Sequence, residues 1–73
     1  MDRAGRKRFG AVVRGLRLAR GWTQEELADA ARLHPSYIGG IERGERNLGL
    51  DNILKLARSL KVHPSDLFTD DVK

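Results

Sequence analysis

The side chains in this sequence that could do chemistry are those that grip phosphates and base edges, and they gather between Thr23 and Asn47. Thr23 and Gln24 open a helical segment, where unpaired backbone N–H groups and a side-chain amide can hold a phosphate. Ser36 and Tyr37 open the next segment and offer two hydroxyls. Arg43, Arg46 and Asn47 follow it, and arginine is the side chain best shaped for guanine O6/N7 or for a two-point phosphate contact. Gly39 and Gly40 bring only backbone and close approach. Each residue also has a plainer reading: Thr23 as a helix cap, Gln24 as a helix-surface residue, Tyr37 as a half-buried packing residue, and the arginines as solvated charges or partners of Glu42 and Glu45. No other chemistry is in view. His34 and His63 stand apart, with no nucleophile, acid–base pair or phosphate-cradling glycine loop beside them. There is no cysteine, and two separated histidines do not make a zinc site. The expectation is a protein that is not an enzyme and has no catalytic residue, cofactor, metal or small-molecule ligand.

With 73 residues, residues 1–73 form one domain, near the size at which a core suffices without staples. The apolar fraction of 40% is ordinary, but aromatics are few. Stability must come from short, well-capped helices around an aliphatic core. The net charge of +4 matters less than its distribution: residues 1–20 hold seven Lys or Arg against Asp2 alone, and residues 21–31 hold three carboxylates and no base. A basic end suits an anionic partner such as nucleic acid or a membrane surface, and equally a solvated face. No apolar run approaches the roughly 20 residues of a spanning helix, and no signal-peptide core follows Met1. The expected location is the cytoplasm, in association with the nucleoid.

The elements that must position these residues are marked by repeated helix-entry signals. Residues 1–8 carry four bases and no apolar periodicity beyond Ala4, and the first five are expected to form a loose basic arm. From Phe9, the residues Val12, Val13, Leu16 and Ala19 fall on one helical face, and Gly21 ends that helix. Gly10 and Gly15 weaken it by roughly 1 kcal/mol each relative to alanine, so packing must hold it. Trp22, Thr23, Glu26 and Leu27 form a capping box with a hydrophobic staple. Leu33, His34, Pro35 and Ile38 repeat the staple, as do Leu48, Gly49 and Ile53, and then Val62, His63, Pro64 and Leu67. The triplet His-Pro-Ser occurs twice, at 34–36 and 63–65. These signals predict helices over about 6–20, 24–31, 35–43, 50–60 and 64–69, with short connections and no strand. The expected fold is an all-α, compact five-helix bundle in which 24–31 and 35–43 form a helix-turn-helix. The turn asks for a left-handed residue at Arg32, where glycine is usual, at a cost of about 1–2 kcal/mol.

The segments Trp22-Thr23-Gln24-Glu25-Glu26-Leu27-Ala28 and Tyr37-Ile38-Gly39-Gly40-Ile41-Glu42-Arg43-Gly44 resemble, at the right separation, the helix-turn-helix family of phage repressors, Cro and the xenobiotic-response-element regulators. The likeness runs from Phe9 to Phe68. The stretch Glu42-Arg43-Gly44-Glu45-Arg46-Asn47-Leu48 looks most like the controller proteins of restriction–modification operons. The resemblance implies a lambda-repressor-like DNA-binding domain whose third helix enters the major groove. It implies phosphate contact for Gln24, and DNA contact for Arg43, Arg46 and Asn47 in the loop after that helix. Gly39 and Gly40 stand where the family often places base-reading side chains, so direct readout from the helix is thin. It further implies a structural ion pair between Arg17 and Glu42.

The fourth helix carries more apolar surface than one side needs: Leu50, Ile53, Leu54, Leu56, Ala57 and Leu60 cover nearly half its circumference, and Leu67, Phe68 and Val72 follow. Residues 50–69 are therefore the expected dimerisation region, with Leu50, Leu54, Leu67 and Phe68 at the interface. The resemblance points the same way, and a monomer with a few exposed leucines is the plainer alternative. The function expected is a homodimeric, sequence-specific transcriptional regulator acting on double-stranded DNA, an autoregulatory controller at a palindromic operator. The alternatives are an antitoxin or prophage-type repressor on the same fold, or a protein-interaction module that does not bind DNA.

Overall fold

The computed structural model describes residues 2–69. Its four α-helices are α1 (Arg3–Ala19), α2 (Gln24–Ala31), α3 (Pro35–Glu42) and α4 (Leu50–Leu60), followed by a 3-10 turn at Pro64–Phe68. The fold is all-α among the described residues, but the expectation of five helices is wrong. The segment after α4 closes through the Asp66 N–H to the His63 carbonyl at 2.8 Å, an i to i+3 bond. Five residues with Pro64 at the start are too few for α-helical bonding to establish itself.

The amino terminus also differs from expectation. Among the described residues the segment expected as a loose arm is helical from Arg3: the Asp2 carboxylate accepts from the Gly5 N–H at 2.7 Å and starts the helix. The first basic residues are thereby mounted on a helix.

One closure ends all four α-helices. After α1, the Trp22 N–H reaches the Arg17 carbonyl at 3.2 Å and Gly21 that of Leu18 at 2.9 Å. The same pair of bonds recurs at Leu33/Arg32, Glu45/Gly44 and Val62/Lys61. This closure needs a left-handed residue, and the four that supply it are Gly21 (φ 72°), Arg32 (58°), Gly44 (78°) and Lys61 (58°). In three of the four, the next residue is apolar and packs on the core: Trp22, Leu33 and Val62. Each of these also precedes the cap of the next element. One side chain thus seals one helix and staples the next, which is why the entry pattern repeats.

The core consists of Phe9, Val13, Leu27, Ala28, Ala31, Ile38, Ile41, Leu48, Leu56, Ala57, Leu60 and Leu67. Gly10 lets α1 cross the end of α3 backbone to backbone. A Cβ there would collide with the Ile41 carbonyl oxygen and lie 2.8 Å from that of Glu42. Phe9, Val13 and Arg17 bury the adjoining stripe of α1. α1 packs against α3 and α4 against α2, and together they hold the two helices of the pair.

Candidate nucleic-acid interface

One carboxylate, that of Glu42, ties the carboxy-terminal end of α3 to both α1 and α2. Arg17 meets Glu42 in a fork, Nε to Oε2 at 2.7 Å and Nη2 to Oε1 at 3.0 Å, with Nη1 donating to the Trp22 carbonyl at 2.7 Å. The two side chains are 9% and 3% exposed. The hydrogen bond to Glu42 holds the guanidinium above the usual arginine range, against the opposing pull of burial. Glu42 Oε1 also accepts from Gln24 Nε2 at 3.0 Å. Gln24 therefore links the start of α2 to the end of α3. One amide hydrogen is committed to Glu42, which fixes how the rest of the amide faces outward.

Thr23 is exposed and forms the reciprocal box: its hydroxyl accepts from the Glu26 N–H at 3.1 Å, and the Glu26 carboxylate accepts from the Thr23 N–H at 2.7 Å. The N–H groups of Gln24 and Glu25 are left at the helix start, where they are suited to an anion.

At the start of α3 the cap is an imidazole. His34 Nδ1 accepts from the Ser36 N–H at 3.1 Å, and the Ser36 hydroxyl lies 2.7 Å from the same nitrogen. An Nδ1 that accepts the amide places the ring proton on Nε2. The Ser36 hydroxyl then donates to Nδ1, and its oxygen remains an acceptor for the exocyclic amine of a base. Tyr37 is half-buried, and its oxygen accepts from Asn52 Nδ2 at 3.1 Å, which leaves its own hydrogen to donate outward. The sequence reading missed Asn52, because a contact fifteen residues away leaves no local signal.

The two glycines of α3 have a use that their lack of side chains concealed. A Cβ on Gly39 would stand 3.1 Å from Arg43 Nη1, and one on Gly40 would stand 3.0 Å from Arg46 Cγ and Nε. The arginines lie back over the bare helix, with the Arg46 guanidinium 5.5 Å from the Tyr37 ring centre. Arg43 and Arg46 occupy the surface that side chains at 39 and 40 would otherwise cover. The spacing of Gly39 and Arg43, one helical turn apart, was a signal for this.

Arg43 is exposed and pairs with Glu45, Nε to Oε2 at 3.1 Å. That bond raises Arg43 and lowers Glu45 from their ordinary ranges. Arg46 and Asn47 are exposed. The first turns of α1 flank this loop: Arg6 Nε donates to the Gly44 carbonyl at 3.4 Å, and Arg3, Arg6 and Lys7 share a hollow with Arg43, Gly44 and Glu45. Gly44 is close to obligatory, since a Cβ would lie 2.6 Å from Lys7 Cγ in a left-handed backbone.

The apolar surface divides unevenly. Leu50 is 69% exposed and Phe68 52%, with the Phe68 ring tilted against Phe9 at 5.3 Å, and Leu54 is half-buried. Leu67 is fully buried, which removes it from any interface: it fills the core between α1 and α4. Leu18, half exposed, was not anticipated. Among the described residues no three His, Cys, Asp or Glu side chains group to hold a metal ion. No helix among them is long and apolar enough to cross a membrane.

Comparisons with known proteins place this geometry. A helix-turn-helix family model matches residues 13–67. The control protein C.BamHI of Bacillus amyloliquefaciens is 50% identical over 60 residues, 81% of this chain and 74% of that protein. The control protein C.SmaI of Serratia marcescens is 40% identical, covering 78% and 68%. The crystal structure of the restriction–modification controller protein C.AhdI from Aeromonas hydrophila superposes with a TM-score of 0.87 at 51% identity, over 89% of this chain and 98% of that one. With a turn closed at Arg32, α3 braced through Glu42, and sequence and backbone both matching over most of the chain, this protein belongs to the helix-turn-helix family.

Proposed function

We propose that the chain is a sequence-specific DNA-binding transcriptional regulator, a control protein of a restriction–modification operon that acts in the cytoplasm as a homodimer on a palindromic operator. The observation that carries this reading is the placement of Arg43 and Arg46 across the bare glycine face of α3, next to Ser36 and Tyr37. These side chains, with Thr23, Gln24 and Asn47, form a donor-rich surface on a helix whose angle is fixed by the Arg17–Glu42–Gln24 network. The names of the relatives support the operon assignment.

In this reading the N–H groups at the start of α2, the Tyr37 hydroxyl and the basic first turns of α1 hold phosphates and set the register. Ser36 and the two arginines read base edges. Leu50, Leu54 and Phe68 meet a second copy, and twofold symmetry sets the two recognition helices about 34–36 Å apart, one turn of DNA. Readout from so few side chains leaves part of the specificity to DNA shape and bending.

Selection of bound sites from random duplex DNA at two salt concentrations tests the proposal. The expected result is an enriched palindrome whose affinity falls steeply with salt. Absence of any enriched motif overturns it.

A further inference from the structure

Away from α3 and its loop, the ends of three helices meet at a second basic surface. Arg20, Arg32 and Lys61 cap the carboxy-terminal ends of α1, α2 and α4. All three line one hollow of about 600 Å³, together with Lys55, Arg58 and the Trp22 indole. Among the described residues no carboxylate lines it, whereas the basic hollow beside α3 contains Glu45. Cations at helix carboxy-termini have an ordinary explanation in the helix dipole. Each such end carries about half a negative charge, however, so three ends account for fewer than two of the five cations. Among the described residues none of the five has an ion-pair partner, and Arg20 stacks on Trp22 at 4.5 Å.

Five like charges gathered from three parts of the chain repel one another unless an anion joins them. One monovalent ion would leave most of that charge unmatched. The hollow admits a molecule as large as a nucleotide. We propose that this hollow binds a small anion carrying two or more phosphate groups in a chain, held by the five cations with Trp22 alongside. The proposal stands independently of operator binding. An occupant would join the ends of α1, α2 and α4, and so stabilise the frame on which α3 is mounted.

Trp22 is the only tryptophan in the chain, so its fluorescence reports directly on the hollow. The probe is inorganic triphosphate, titrated at constant ionic strength because screening alone would otherwise move the signal. Saturable change in the fluorescence is expected, with a rise in melting temperature on the order of 5 °C at tenfold excess over the dissociation constant. The double variant Lys55→Gln/Arg58→Gln should bind at least tenfold more weakly. Arg14→Gln, which removes a charge from an exposed position of α1 outside the hollow, should bind as the parent does. A nucleoside triphosphate run in parallel separates the two sources of such a chain: tighter binding than triphosphate assigns the site to nucleotides, and equal binding to the phosphate chain alone. No saturable change, or an equal affinity in Lys55→Gln/Arg58→Gln, overturns the proposal.

Discussion

Two arginine–glutamate pairs bracket the end of α3, and they do opposite things. Arg17–Glu42 is a two-point fork with almost no solvent access, reinforced by Gln24 and by the Trp22 carbonyl. Arg43–Glu45 is a one-point contact between side chains about 60% exposed. The first joins three segments of chain, and its geometry leaves it one arrangement. The second joins residues two apart on a loop and is open to water and salt. The buried fork holds the end of α3 in place, and in the proposed DNA complex the exposed pair would let Arg43 exchange Glu45 for a phosphate.

Removing one member of the buried pair should give the largest effect. Arg17→Ala leaves the Glu42 carboxylate uncompensated, and Glu42→Ala leaves the guanidinium so, at a cost of about 3–5 kcal/mol. For a domain this small, that lowers the melting temperature by more than about 12 °C. Thermal unfolding followed by circular dichroism checks it. A Glu42→Ala variant that melts with the parent would show that the fork is not holding α3.

Gln24→Ala tests the third arm of the same network and should cost less. It removes a hydrogen bond to a charged group, worth about 1.5–3 kcal/mol, while the Arg17 fork persists. Operator affinity should fall beyond what the stability loss explains, because the start of α2 and the end of α3 lose their link. Chemical denaturation alongside DNA titration separates the two, and an unchanged affinity would make Gln24 a structural brace only.

The pattern of what the sequence disclosed follows the range of the interactions. Caps, staples and the left-handed turn at Arg32 act within six residues, so the helix boundaries of α2, α3 and α4 could be read. Lys61 closes α4 in the same way as Arg32 closes α2, but a lysine gives no hint of it. Asp2 is an ordinary N-cap residue, and it was passed over because the residues after it lack an apolar stripe. The burial of Leu67 depends on how much space α1 and α4 leave between them, which no local pattern records. For the candidate site, the residue types were legible but their relations were not. Gln24 on Glu42, Asn52 on Tyr37 and Arg46 over Gly40 are products of packing.

His34→Ala probes the other end of α3, and the second His-Pro-Ser triplet supplies an internal control. Both imidazoles accept a backbone N–H at 3.1 Å through Nδ1, yet only His63 completes a reciprocal box, with Asp66. Loss of either cap should cost about 1 kcal/mol. Only His34→Ala should also weaken operator binding, since it alone positions Ser36. An Asp at 34 should restore stability without restoring affinity, because the imidazole that holds the Ser36 hydroxyl is still missing.

The exposed pair should give the smallest change in stability and the most informative change in binding. Glu45→Gln removes the charge that holds Arg43 and that lies beside Arg46, leaving at most a neutral acceptor, and should leave the melting temperature where it is. Operator affinity should rise, and the salt dependence should steepen by about one unit if Arg43 moves to a phosphate. The sign with pH follows from the lowered Glu45 carboxyl. The pair is present above the ordinary carboxylate range and is lost only as pH falls through the lowered one, so Glu45 stays ionised between pH 7 and 5. The affinity gain of Glu45→Gln over the parent should therefore be flat across that interval and shrink only in stronger acid. A gain that fades by pH 5 would mean that Glu45 is not the group competing for Arg43. An unchanged affinity at every pH would mean that Arg43 does not meet DNA, and would leave readout to Arg46 and Ser36.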